Sequence, residues 1–215
     1  MTAPIHNARL RMDGLTLLAQ LEDRSAAAVF FDPQYRQGLD KLRFGNEGSR
    51  QKKRAELPQM TDRDIAAFFR QMQRVLQPSG HLFLWIDKFA LVSGYWQRWL
   101  PEITPLSEVG LFVWDKDRMG MGKRERCVSE FLVVLQKGPR RAKGVWTDNG
   151  LRDVWVEKAD RDRHAHAKPV ELTKRLIKSV TKKGDLVVDP AAGAFGVLEA
   201  CLATGRDFVG CDSGG

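Results

Sequence analysis

Apolar residues fall into two kinds of run along this chain, continuous and spaced. Ala26-Ala-Ala-Val-Phe-Phe31 is continuous and stops at Asp32-Pro33, the pattern of a buried strand ending in a loop. His81–Ile86, Gly110–Trp114, Cys127–Leu135, Leu186–Val188 and Phe208–Cys211 predict five further strands. Helical spacing links Ile65, Phe68, Phe69, Met72, Val75 and Leu76 behind Thr61-Asp-Arg-Asp64, which has the form of a capping box. Gln77-Pro-Ser-Gly80 should stop that helix. Other helices are expected around Phe89–Leu100, over Val170–Val180 (Leu172, Leu176, Ile177 and Val180 inward, Lys182-Lys-Gly184 closing) and near Val197–Ala203. Strands alternating with helices over 215 residues predict one α/β domain, residues 1–215, built on a doubly wound and mostly parallel sheet. No internal repeat or low-complexity segment interrupts it.

Charge changes the picture because it is concentrated. The net charge is +8, from 35 Lys and Arg against 27 Asp and Glu. Arg36–Arg54 carries seven basic and two acidic residues, and Asp115–Lys143 nine basic and four acidic. Each stretch is thus net +5, and the remainder of the chain is close to neutral. Both are rich in Gly and Gln, so they read as basic loops, about 36–60 and 115–165, on a balanced body. A polyanionic, phosphate-bearing partner is expected. Lys41, Arg43, Lys52, Lys53 and Arg54 in the first, with Lys123, Arg124 and Arg126 in the second, are the candidate phosphate contacts; solvated loops with incidental charge are the alternative. The three cysteines have no paired spacing and suit a reducing compartment. His164, His166 and the cysteines lack metal-ligand spacing, so no metal is expected. No apolar run approaches membrane-spanning length, and the first residues lack a signal layout, so an intracellular, cytoplasmic protein is expected.

Three predicted strands run into acidic residues: Phe31 into Asp32-Pro33-Gln34-Tyr35, Val188 into Asp189-Pro-Ala-Ala-Gly193, and Cys211 into Asp212. Ligands of open α/β sheets sit outside the carboxyl ends of strands, so these segments should share one site. Asp189-Pro-Ala-Ala-Gly193-Ala-Phe195-Gly196 links a strand to a helix through small residues. These permit close approach of a ligand, and the helix N-terminus favours an anion. Asp212, after the next strand, could accept hydrogen bonds from ribose hydroxyls. In Asp32-Pro33-Gln34-Tyr35, a carboxylate, a proline carbonyl and an aromatic ring could hold an exocyclic amine and stack a planar base; a plain strand-ending turn is the alternative.

With these residues in order, the chain resembles the S-adenosylmethionine-dependent DNA amino-methyltransferases of the circularly permuted, β-type motif order. The family's catalytic Asp-Pro-Pro-Tyr is matched by Asp32–Tyr35. Its later cofactor loop is matched by Asp189–Gly196, with His164-Ala-His-Ala-Lys168-Pro169 ahead of it. Gly205–Asp212 matches the strand ending in an acidic ribose ligand. Asp13 resembles the family residue that contacts the cofactor's adenine. Arg74–Leu84, Trp114-Asp-Lys116 and Ser129-Glu130-Phe131 also look like family segments.

The resemblance implies a Rossmann-like methyltransferase sheet and transfer of a methyl group to adenine N6 after base flipping. Asp32, Pro33 and Tyr35 would be catalytic. Asp13, Phe31, Lys168, Pro169, Asp189, Ala191, Gly193, Phe195, Gly196 and Asp212 would hold the cofactor. A cytosine-N4 enzyme and a DNA-binding subunit without catalysis are the alternatives. Gln34, Ala191 and Phe195 depart from the family pattern at the second Pro, the usual Phe and the second Gly, and the chain stops where the family continues with a helix. No separate recognition domain is evident, which leaves room for a second copy or a partner subunit.

Overall fold

The structure, a computed structural model, describes residues 5–35, 60–118, 120, 124–158 and 167–213. Among these, eight strands form one sheet: β1 (Leu10–Arg11), β2 (Ala26–Phe31), β3 (Leu76–Ile86), β4 (Leu106–Asp115), β5 (Ser129–Lys137), β6 (Val154–Val156), β7 (Leu186–Asp189) and β8 (Asp207–Asp212). The spatial order is β1-β8-β7-β2-β3-β5-β4-β6. The helices are α1 (Gly14–Ala19), α2 (Asp62–Val75), α3 (Lys88–Ser93), α4 (Val170–Val180) and α5 (Gly196–Thr204), with a 3-10 turn at Tyr95–Trp99.

Period-two alternation divides the core between the two faces of the sheet. Val29, Phe31, Leu82, Leu84, Val133 and Leu135 pack toward α1 and α2. Ala28, Phe30, Phe83, Trp85, Leu132 and Val134 pack toward α4 and α5. The predicted face of α2 is buried through Ile65, Phe68, Phe69, Met72 and Val75, and Leu76 opens the next strand. The capping box is present: Thr61 Oγ1 accepts the Asp64 N–H at 3.2 Å, and Asp64 Oδ2 accepts the Thr61 N–H at 2.9 Å.

The parallel sheet expected from the sequence holds for β1, β8, β7, β2 and β3. Beyond β3 it is interrupted, because β5 runs antiparallel to both β3 and β4, while β6 at the far edge pairs parallel to β4. Among the described residues no helix crosses between β4 and β5, and without a crossover two successive neighbouring strands must reverse direction. The basic segment 115–165 is accordingly not one loop, since it contains β5 and β6. The helix stops ahead of Gln77-Pro-Ser-Gly80, as expected. That segment lies within β3 and slips the register, so that Ala26 faces Leu76 while Ala28 faces His81. Ser79 takes a positive φ of 64° at this irregularity, and its hydroxyl donates to the Pro139 carbonyl at 2.6 Å. The single helix expected over Phe89–Leu100 is broken by Gly94, whose left-handed conformation (φ 64°) caps α3. Of the six tryptophans, Trp85, Trp96, Trp99 and Trp114 are core residues, while Trp146 and Trp155 are half-buried against it. No helix among the described residues is long and apolar enough to cross a membrane.

Phe69 is fully buried and Phe89 is 62% exposed. Phe69→Ala should therefore cost about 3–5 kcal/mol of unfolding free energy, whereas Phe89→Ala should stay within about 0.5 kcal/mol of the parent. Urea denaturation of the two variants checks the difference.

Candidate active site

Parallel pairing explains how distant segments converge. β2 lies beside β7 and β7 beside β8, with Val29 level with Val188 and Asp189 level with Gly210. All three strands point the same way, so Asp32, Asp189 and Asp212 emerge at one edge of the sheet. A cleft of about 380 Å³ opens there. One wall is the run Pro190–Ala194, Phe30, Phe31, Phe68 and Trp85 supply apolar surface, and Asp13 and Asp212 contribute carboxylates. The Asp212 carboxylate accepts the Gly193 N–H at 3.0 Å, which ties β8 to the loop after β7. Asp13 caps α1, accepting the Thr16 N–H at 2.8 Å. The start of α1 touches the opposite wall directly: a Cβ on Gly14 would lie 2.2 Å from the Pro190 carbonyl oxygen.

Asp32 stands where this cleft meets a chain of alternating charge. The Lys168 ammonium is 2.9 Å from Asp32 Oδ2 and 2.8 Å from Glu130 Oε2, and Lys116 Nζ is 2.6 Å from Glu130 Oε1. Lys168 also sits 5.0 Å above the Trp85 ring and Lys116 5.7 Å from the Trp114 ring, favourable cation–π contacts. Burial raises the Asp32 carboxyl above its usual range, with Lys168 opposing and Glu130 adding to that rise. Burial alone would raise Glu130 too, but the two ammoniums hold it down to about 2. Lys168 is correspondingly held above the usual lysine range by its two carboxylates, against the effect of burial. No cation among the described residues pairs with Asp189: burial, opposed by the Ala191 N–H and reinforced by Asp32 and Asp212, pushes it up to about 8.

Eight of the ten expected cofactor residues line the cleft: Asp13, Phe31, Lys168, Asp189, Ala191, Gly193, Gly196 and Asp212. Pro169 and Phe195 do not; they shape the backbone beside it. Pro169 precedes α4, and its carbonyl accepts both the N–H and the hydroxyl of Thr173. Phe195, at the position where the resemblance leads to a glycine, adopts a left-handed conformation (φ 56°) ahead of α5. Its buried ring packs edge-on to Phe208, with Arg9 above it at 5.4 Å.

Of the catalytic candidates, Asp32 faces the cleft and Pro33 is buried behind it. Tyr35 is half-buried, its ring 4.9 Å from that of Trp99, and its hydroxyl accepts the Asp87 N–H at 2.8 Å. Glu130, Lys116 and Trp85 had no assigned place in the site. The only signal for Lys116 and Glu130 was that Trp114-Asp-Lys116 and Ser129-Glu130-Phe131 resembled family segments; Trp85 carried none beyond its place in an apolar run.

Arg124 and Arg126 are exposed, and Arg126 Nη1 donates to the Gly120 carbonyl at 3.4 Å. Two other cations of the 115–143 stretch are used internally, Lys116 on Glu130 and Lys137 on the Leu76 carbonyl at 2.6 Å. Lys41, Arg43, Lys52, Lys53, Arg54, Lys123, His164 and His166 lie outside the described residues.

A largely parallel sheet with acidic strand ends around an elongated, small-residue cleft defines a class I-like methyltransferase core. The model of the DNA methylase family that covers N6 and N4 amino-methyltransferases matches residues 26–214, and the chain belongs to that family. The Type II methyltransferase M.HhaII of Haemophilus parahaemolyticus is 49% identical over 207 residues, spanning 96% of this chain and 90% of that protein. The DNA adenine methyltransferase YhdJ of Escherichia coli (strain K12) is 39% identical over 51 residues, 24% of this chain and 17% of that protein. Among solved structures, the M1.HpyAVI–SAM complex aligns with a TM-score of 0.66 at 18% identity, covering 94% of this chain and 91% of that one. The cytosine-N4-specific PvuII DNA methyltransferase aligns with a TM-score of 0.70 at 13% identity, covering 98% and 83%. The cofactor of the family is S-adenosylmethionine.

Asp189 binds its proton more tightly folded than unfolded, so between about pH 4 and pH 8 the unfolded chain releases a proton that the native state keeps. Stability contributed at this position therefore falls as pH rises through that window. Asp189→Asn should gain stability relative to the parent from pH 5 to pH 8, read as the difference between urea midpoints at each pH.

Proposed function

We propose that this chain methylates the exocyclic N6 amine of adenine in double-stranded DNA, and that Asp32 and the Pro33 carbonyl accept the amine hydrogens. The observation that carries this reading is the Asp32 carboxylate, held at the mouth of the cofactor cleft by Lys168 at 2.9 Å. Bound S-adenosylmethionine supplies an electrophilic methyl group on its sulfonium. Acceptance of both hydrogens by Asp32 and Pro33 localises the nitrogen lone pair for in-line attack, and Asp32 is the nearest base for the proton the nitrogen sheds. Positioning is the main catalytic device in such a displacement.

The chain's own residues fit the cofactor. The wall from Ala191 to Ala194 carries no bulky side chain, leaving its backbone open to a ligand. Asp212 and Asp13 offer acceptors for ribose hydroxyls and the adenine amine, and Phe31 and Phe68 supply apolar surface. Reaching an amine inside a duplex requires flipping the base, at a cost of a few kcal/mol. Tyr35, fixed in rotation by the Asp87 N–H and by Trp99, supplies a stacking surface worth about 1–3 kcal/mol. The adenine assignment is supported by Asp32, in the place where the family's cytosine enzymes more often carry Ser, and by the local likeness to a DNA adenine methyltransferase. The Type II likeness of M.HhaII supports a role as a modification enzyme.

Asp32→Ala should lower methylation of genomic DNA by about 10²–10³ while keeping calorimetric affinity for S-adenosylmethionine. Asp212→Ala should do the converse first, weakening that affinity about ten-fold or more. Nuclease digestion and mass spectrometry of DNA from expressing cells should show N6-methyladenine; N4-methylcytosine instead would reassign the substrate.

Arg124 and Arg126 should contact phosphate. Replacing both by Ala should flatten the slope of log K against log salt by about 1.8, at about 0.9 per contact, with cofactor affinity unchanged. An identical slope would place the DNA surface elsewhere.

A further inference from the structure

Glu130 lies 38 residues from Lys168 in sequence, and nothing above gives it a part in the reaction. It is the cross-strand partner of Trp114, on the sheet face that also carries Trp85. The Trp85 and Trp114 rings meet edge to face at 6.0 Å, forming a common aromatic floor. Trp114 is anchored by donating its indole N–H to the Glu157 carbonyl at 2.7 Å. Both ammoniums lie against this floor, Lys168 on Trp85 and Lys116 on Trp114. Two carboxylates and two ammoniums thus alternate in a row, Asp32, Lys168, Glu130, Lys116, with every link between 2.6 and 2.9 Å.

We propose that Glu130 is a positioning residue for methyl transfer: anchored by Lys116, it holds the Lys168 ammonium shared between two carboxylates and so regulates the charge that Asp32 offers to the substrate amine. The inference rests on the reading of Asp32 as the amine acceptor. The physical argument is one of division. A lone ammonium against Asp32 would saturate that carboxylate and compete with the incoming amine for it. An ammonium shared with a second carboxylate neutralises Asp32 only in part. Lys116 in turn keeps Glu130 from drawing Lys168 away altogether. Trp85 and Trp114 restrict where the two ammoniums can go, so the sharing is built into the sheet.

The groups that face Asp32 are Lys168 ahead of α4, Glu130 on β5, Asp189 on β7 and Tyr35 on its own segment, with Lys116 of the segment after β4 acting through Glu130. Removing the Glu130 charge leaves Lys168 wholly to Asp32 and eases ionisation of Asp32. Removing the Lys116 charge pulls Lys168 toward Glu130 and hinders it. The two changes should therefore move the same titration in opposite directions.

The test is kcat/KM for methylation of genomic DNA from a methylation-deficient bacterial strain, at saturating S-adenosylmethionine, from pH 4.5 to 9. This quantity reports ionisations in the enzyme free of DNA. Glu130→Gln should shift the acid limb down by about one pH unit, and Lys116→Met should shift it up by a similar amount. Acid limbs that coincide with the parent, whatever the loss in rate, would assign Glu130 a structural role only and overturn the inference. If Glu130→Gln does not fold, the direction of the Lys116→Met shift decides. Asp32→Asn separates the two readings. Retained methylation by that variant would overturn the role of Asp32 itself; an inactive variant beside unmoved limbs would overturn only the inference.

Discussion

An ammonium held between two carboxylates at the end of a parallel strand is the constraint around which this site is organised. β2, β7 and β8 deliver Asp32, Asp189 and Asp212 to one edge of the sheet, and β5 adds Glu130. Like charges so close in a partly dry site cannot all ionise freely. Lys168 and Lys116 compensate Asp32 and Glu130. Asp189, which no cation among the described residues reaches, retains its proton toward neutral pH. The site thereby holds two carboxyl groups that burial pushes upward: Asp32, where Lys168 opposes the rise, and Asp189, which reaches about 8.

The sheet divides the labour. Its parallel half, from β1 to β3, forms the cleft, at the strand carboxyl ends where ligands of such sheets gather. The strands beyond β3 contribute no residue to the cleft lining among the described residues, yet Glu130 and Trp114 on them, with Lys116 just after β4, set the environment of Asp32. β3 and β5 pair at the junction, with Trp85 level with Leu132. A change in register there would turn Glu130 to the opposite face of the sheet and leave Lys168 with a single partner.

The loop after β7 shows how one departure from a family pattern can be accommodated. A non-glycine residue in the left-handed region costs about 1–2 kcal/mol. Phe195 accepts that conformation and buries its ring against Phe208 and beneath Arg9, a packing gain that a glycine would lack. The ring points away from the cleft, so the loop keeps the small-residue wall that a ligand needs. Gly14 is the counterpart across the cleft, where the contact with Pro190 leaves no room for a side chain.

Much of this was legible in the amino-acid order alone. Apolar runs and their breakers located β2, β7, β8, α2 and α4 to within a residue or two, because burial imposes a period that single residues cannot hide. Acidic residues at three strand ends pointed to one shared cleft, because parallel strands must bring their carboxyl ends to one side. Sequence patterning left β1 and β6 unseen, since two or three residues carry no measurable period. It ended the helix before Gln77-Pro-Ser-Gly80 correctly, but could not show that pairing with β2 draws these residues into β3. It also treated Lys116 as surface charge, whereas the fold buries it on Glu130. Whether a cation faces solvent or a carboxylate depends on which strands become neighbours. Only the tertiary structure decides that, since Asp32, Lys116, Glu130 and Lys168 come from four separate segments.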